Sequence, residues 1–287
     1  REDSSRQKKA KELYKQMLYL SPYQALDAVV LYQESADLID GLAMSCDWCT
    51  LMLERTKLPA LTSIFPELSK DSLSKEGLSL YLTLEGFEKL FEGKTKKAER
   101  SSNEATRHGE QLKNEEVLAR SYFLQGKINL AKGDYIMALE RMVTSFNLFL
   151  GLDNAMGVSL SALMISEIFE HRGEPNKAIA YIDMAVEQEK AVVCAPLISS
   201  VYAKRGELYY SKNIFAKASL CFDDASDTAA RVGEVDKSLE YRLRKGDVLV
   251  EEGHMKEAVA VYEKTAEEAE ERGLGELQLS AYERLYQ

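Results

Sequence analysis

The sequence predicts an all-α chain folded as a right-handed superhelical solenoid of helix–turn–helix repeats. Three observations carry that prediction. Apolar residues recur at spacings of three and four, as in Leu124, Ile128 and in Ile179, Ile182, Ala185, and almost no segment alternates as a strand would. Turn-forming residues return every 40 positions, at Gly93, Gly133, Gly173, Asn213 and Gly253. Small residues keep the same register. Gly86, Gly126, Ser166, Gly206 and Gly246 stand seven positions before each turn, and Ala98, Ala138, Ala178, Ala218 and Ala258 stand five after it.

Each position has a physical reason. A Gly or Asn at the turn takes positive φ and closes a helix in a tight reversal. Gly or Ser before the turn and Ala after it remove bulk where two helices cross, so the axes approach to about 8–10 Å. Ala105, Ser145, Ala185, Ala225 and Thr265 repeat further along the second helix and predict the docking point of the next repeat. Larger side chains, among them Tyr122, Tyr135, Met142, Phe169, Ile182, Tyr202, Tyr209, Phe215, Phe222, Leu249 and Tyr262, fill the remaining space.

Three segments follow in order. Residues 1–74 read as degenerate N-terminal repeats with a capping helix, since a terminal repeat has one face without a neighbour; a separate small helical domain is the alternative. Within them, Ser21-Pro22 starts a helix running from Tyr23 to about Ile39. Gly41 ends it, a second helix runs from about Leu42 to Lys57, and a third begins near Pro59 with Pro66 inside it or at its end. Residues 75–274 hold five repeats, and 275–287 begin a further helix that is cut short. The start without Met and the stop inside an amphipathic stretch read as a fragment of a larger protein.

Composition narrows the function classes. The 287 residues are 45% hydrophobic and 29% charged, as expected of a folded chain and not of a disordered one. No apolar run reaches the roughly 18 residues that span a bilayer, and the polar, charged start does not read as a signal peptide. A net charge of −10 disfavours nucleic acid and anionic membrane as partners. The basic stretch Lys94–Arg100 reads as a solvated helix face.

The residues offer little chemistry. The four cysteines include Cys46-Asp47-Trp48-Cys49, which has redox spacing but no strand–loop–helix context, so all four read as packing residues. The three histidines, His108, His171 and His254, form no metal-ligand spacing. No phosphate-cradling glycine loop or nucleophile elbow occurs. Acidic pairs such as Glu115-Glu116 read as solvated faces. No catalytic residue, metal or cofactor is expected, and the chain is not expected to be an enzyme.

Gly126 with Tyr135, Ala138 and Met142 resembles the tetratricopeptide-repeat pattern. So do Gly206, Tyr209, Phe215, Ala218, Phe222, Ala225 and Gly246, Gly253, Ala258, Tyr262. The usual Trp and closing Pro of the family are absent. The period of 40 in place of about 34 resembles its longer-helix variants; six more residues add about 9 Å of helix.

The resemblance implies that first helices line a concave groove. Carried over by register, the groove positions are Leu80, Thr83, Phe87; Arg120, Phe123, Lys127; Leu160, Leu163, Glu167, Glu170, His171; Ser200, Ala203, Glu207, Tyr210; and Glu240, Leu243, Asp247, Glu251. The partner-binding candidates among them are Phe87, Arg120, Phe123, Lys127, Leu163, Glu167, Glu170, Glu207, Tyr210, Leu243, Asp247 and Glu251. Equivalent acidic residues at Glu167, Glu207 and Asp247 favour a basic protein or peptide, whereas Phe87 and Lys127 suit an apolar or mixed one. The Lys/Asn carboxylate clamp of some family members has no counterpart, because Lys127 stands alone and Asn129 falls on another face.

The style of the units resembles sensory regions of bacterial signalling proteins, periplasmic or cytoplasmic, that precede a histidine kinase, a diguanylate cyclase or a DNA-binding output. The alternatives are a self-contained peptide-responsive regulator, similar to the quorum-sensing family with helical repeats, and a scaffold or adaptor of a multiprotein complex. Open repeat ends also allow a homodimer.

Overall fold

The computed structural model describes residues 38–52, 68–192 and 194–286, with the isolated positions 5, 8, 9 and 12. Among them every regular element is helical. After α1 (Leu38–Met52) and a short 3-10 turn (Lys70–Ser72) come α2 (Lys75–Phe91), α3 (Thr95–Leu112), α4 (Glu115–Ala131), α5 (Tyr135–Gly151) and α6 (Ala155–His171). Then follow α7 (Pro175–Glu187), α8 (Ala195–Ser211), α9 (Phe215–Arg231), α10 (Val235–Glu251), α11 (Met255–Glu271) and α12 (Gly275–Leu285). The chain forms two compact units, Arg1–Ile168 with Lys190–Cys194, and Phe169–Glu189 with Ala195–Gln287.

The backbone repeats at half the period of the side chains. Positive φ occurs at Gly93, Lys113, Gly133, Asp153, Gly173, Asn213, Gly233, Gly253 and Gly273, a spacing of 20 wherever the intervening position is described. At each, the next N–H reaches back five residues to close the helix, as in Asn114 to the Gly109 carbonyl at 3.1 Å and His254 to the Leu249 carbonyl at 2.8 Å. At three of these turns the same residue also caps the following helix with its side chain. Asn114, Asp134 and Asn154 each accept a bond from the N–H three positions on.

The crossings use the small residues. In the N-terminal unit Ala98 and Ala138 are fully buried, and a Cβ built on Gly126 would lie 2.8 Å from the Met142 side chain. Two equivalent crossings carry the same bond with donor and acceptor helices exchanged: Ser79 Oγ donates to the Ala105 carbonyl, and Ser145 Oγ donates to the Ala119 carbonyl, each at 2.7 Å. In the C-terminal unit Ala178, Ala218 and Ala258 are buried, and a Cβ at Gly246 would lie 2.3 Å from the Tyr262 ring.

Gly41 does not end a helix. It lies inside α1, buried, and its carbonyl accepts the Ser45 hydroxyl at 2.9 Å. A glycine costs a helix interior about 1 kcal/mol relative to Ala, and burial of Leu42, Met44, Cys46, Trp48 and Leu51 in the turns that follow outweighs that. The helices expected before residue 38 and from Pro59, with Pro66, lie outside the described residues.

Candidate functional site

In the N-terminal unit most of the expected groove positions are inside. Phe87, Phe123 and Leu163 are buried, as are Leu80, Thr83 and Leu160, so they pack helices together instead of lining an open face. Arg120 is buried too. Its guanidinium grips Asp47 of α1 through two nitrogens, at 2.8 and 3.1 Å, and donates to the Glu116 carbonyl. Lys127 and Glu167 are half-buried, with Lys127 Nζ 3.7 Å from Met164 Sδ.

The C-terminal unit holds a polar ladder between successive first helices. Lys204 donates to Glu170 at 2.7 Å. Arg244 grips Glu207 with two nitrogens, at 2.5 and 2.6 Å, and reaches Asp247 at 2.7 Å. Arg284 grips Asp247 at 2.7 and 3.2 Å. Arg244 also lies over the Tyr210 and Phe222 rings. The acidic row expected to face a partner is therefore engaged by the chain's own guanidiniums at Glu207 and Asp247. Burial pushes the Asp247 carboxyl up, but hydrogen bonds from Arg284, Tyr262 and Arg244 outweigh it and hold the group below its ordinary range. Leu243 is buried against Tyr262 and Ala281.

Three of the predicted residues meet in one place. Tyr210, Asp247 and Glu251 line an open cavity of ≈ 490 Å³ with Val250, Met255, Tyr262, Glu283 and Arg284. Helices α8, α10, α11 and α12 supply them. The Tyr262 hydroxyl donates to Asp247 at 2.8 Å, and the Tyr210 hydroxyl reaches Glu251 at 3.4 Å. Burial, then the neighbouring carboxylate, raises the proton affinity of both phenols. Glu251 and Glu283 are exposed, and neither has a cationic partner among the described residues. Glu170 is held by Lys204 and takes no part in the cavity.

No protein-family model matches the sequence, and no curated protein does. Solved structures do. A Rap protein complexed with Competence and Sporulation Factor is 13% identical, with 94% of this chain and 77% of that one covered at a TM-score of 0.59. NprR in complex with its cognate peptide NprX is 15% identical, with 97% and 84% covered at 0.51. A signal transduction ATPase with a tetratricopeptide repeat sensor, from Pyrococcus horikoshii, is 14% identical, with 96% of this chain and 44% of that one covered at 0.56. The fold is the tetratricopeptide-repeat fold.

Within that fold, Val250, Met255, Tyr262, Glu283, Arg244 and Arg284 are the site residues that sequence reasoning missed. A signal existed for the last two. Arg244 and Arg284 stand 40 apart, each 37 positions after an acidic residue at the groove register. Tetratricopeptide-repeat stacking makes that offset a contact between neighbouring first helices.

Proposed function

We propose that the chain is a non-catalytic module that binds a protein or peptide, and that its C-terminal unit takes a basic side chain of the partner at the Tyr210–Glu251–Glu283 cavity. The lining supports this reading. Two carboxylates with no cationic partner among the described residues, Glu251 and Glu283, flank two phenolic rings and the exposed Met255. An ammonium or guanidinium fits such a place by charge and by cation–π attraction, and its methylenes gain apolar contact. NprR, of similar fold, binds a peptide.

The test is a thermal-shift and calorimetric screen of the full chain against pooled Lys/Arg-containing peptides and matched acidic ones. Basic peptides should raise the melting temperature, since a ligand of the folded state stabilises it. The Glu251→Gln/Glu283→Gln double variant should weaken the best hit at least ten-fold. Equal responses to both pools, or an unchanged dissociation constant in the variant, would reject the site.

We further propose that the module serves as the sensory region of a larger signalling protein. The likeness to an ATPase with a tetratricopeptide repeat sensor supports it. The native mass of the tagged gene product in its own cell is the check: a product no larger than these 287 residues would remove this host reading and leave the binding site untouched.

A further inference from the structure

The Cys46-Asp47-Trp48-Cys49 motif has a place that redox chemistry does not explain. It lies on α1, which packs against α2 and α4, the first helices of the first two repeats. Its contacts there fall on groove positions. Cys46 Sγ donates to the Leu80 carbonyl at 3.4 Å, and Asp47 receives the two-pronged grip of Arg120. Leu80, Thr83, Phe87 and Arg120 are all buried, and so are Leu42, Cys46, Trp48 and Cys49 on α1. Burial pushes the Cys46 thiol up to about 12, so it stands there as a neutral donor.

We propose that the first-helix surface of the N-terminal unit is a recognition groove for an apolar helix bearing a carboxylate, and that α1 is its tethered occupant. An apolar helix laid into a groove with one matched ion pair is a complete recognition mode. The apolar residues supply contact, and the buried guanidinium of Arg120 rejects any helix that brings it no carboxylate. The tether gives α1 a high local concentration, so a partner helix of the same chemistry binds only by displacing it. This is independent of the cavity in the C-terminal unit.

The experiment uses the full chain and its single tryptophan, Trp48, which is 2% exposed. Asp47→Asn leaves the Arg120 guanidinium without the carboxylate it grips. In that variant Trp48 emission should move to the red, and alkylation of Cys46 and Cys49 should rise at least ten-fold, while Cys194, Cys221 and the far-ultraviolet helical signal hold. The charge exchange Asp47→Arg/Arg120→Asp should restore protection. A fluorescent peptide of residues 38–52 should bind the Asp47→Asn chain, at least ten-fold more tightly than the same peptide with Asn at position 47, and should bind the wild type more weakly. The proposal is overturned if the peptide binds neither chain, or if Cys46 and Cys49 react only in step with Cys194 and Cys221. Should the variant not fold, hydrogen exchange on the wild type decides: α1 amides should exchange faster than those of α2 and α4, and exchange of all three through one common opening overturns the proposal.

Discussion

Arg244 on α10 grips Glu207 on α8 with two nitrogens, and Arg284 on α12 repeats the grip on Asp247 of α10. The pairs are partly exposed, so each ion pair alone contributes no more than about 1 kcal/mol. Arg244 does more than pair. It bridges to Asp247 and lies 4.9 Å from the Tyr210 ring centre. Arg244→Met should therefore lower stability by about 1–2 kcal/mol, read from urea denaturation of the helical signal. Arg244→Lys should recover less than half, because an ammonium lacks the fork that holds both carboxylates.

Gly246 tests the helix crossing. A methyl group there would meet the Tyr262 ring at 2.3 Å, and that ring is anchored through its hydroxyl to Asp247. Crowding of this kind costs about 1–3 kcal/mol, against a gain of about 1 kcal/mol for Ala over Gly in a helix. Gly246→Ala should thus be clearly destabilised. At Gly206 the neighbour is Phe222 at 3.0 Å, a ring with no hydroxyl to anchor it. Gly206→Ala should stay within about 1 kcal/mol of the wild type. Equal losses at the two sites in denaturant titrations would contradict this account.

What the sequence made legible follows from the same geometry. A crossing tolerates only small side chains, so Ala138, Ala178 and Ala218 announce it wherever they recur. The groove was less legible because register says which way a position points and not what covers it. Phe87 and Arg120 carry the right register, yet α1 lies on that surface. The turn between repeats was hidden for another reason: Lys113 and Asp153 hold positive φ without being glycine. The ladder was hidden because its basic positions are Leu84, Leu124 and Met164 in the earlier repeats and turn basic only from Lys204 onward.

Lys113 offers a gain in stability. It sits at φ 52° where the equivalent Gly233 and Gly273 take 79° and 70°. A side chain in the left-handed region costs roughly 1–2 kcal/mol, and glycine's larger entropy loss returns about half of that. Lys113→Gly should raise stability by about 0.5–1 kcal/mol. Asn213, at φ 59°, belongs to a residue type that visits this region readily, so Asn213→Gly should gain less. The order of the two melting temperatures is the check.

Asp247 sets a prediction in pH. Its ordinary value is 3.8, and in the folded chain the bonds from Arg284, Tyr262 and Arg244 overcome the opposing effect of burial and hold it lower. A depressed carboxyl contributes stability in full above its unfolded value, and that contribution is lost as pH falls through the folded one. The Asp247 share should therefore be complete at neutral pH and decline from about pH 4 downward. Asp247→Asn removes the charge while keeping the shape. The variant should have the lower urea midpoint at neutral pH, and the gap to the wild type should close as the titration runs below pH 4. A gap that stays constant through that range would show that the guanidinium and phenol bonds do not depress this carboxyl, and the ladder would lose its anchor at the C-terminal cavity.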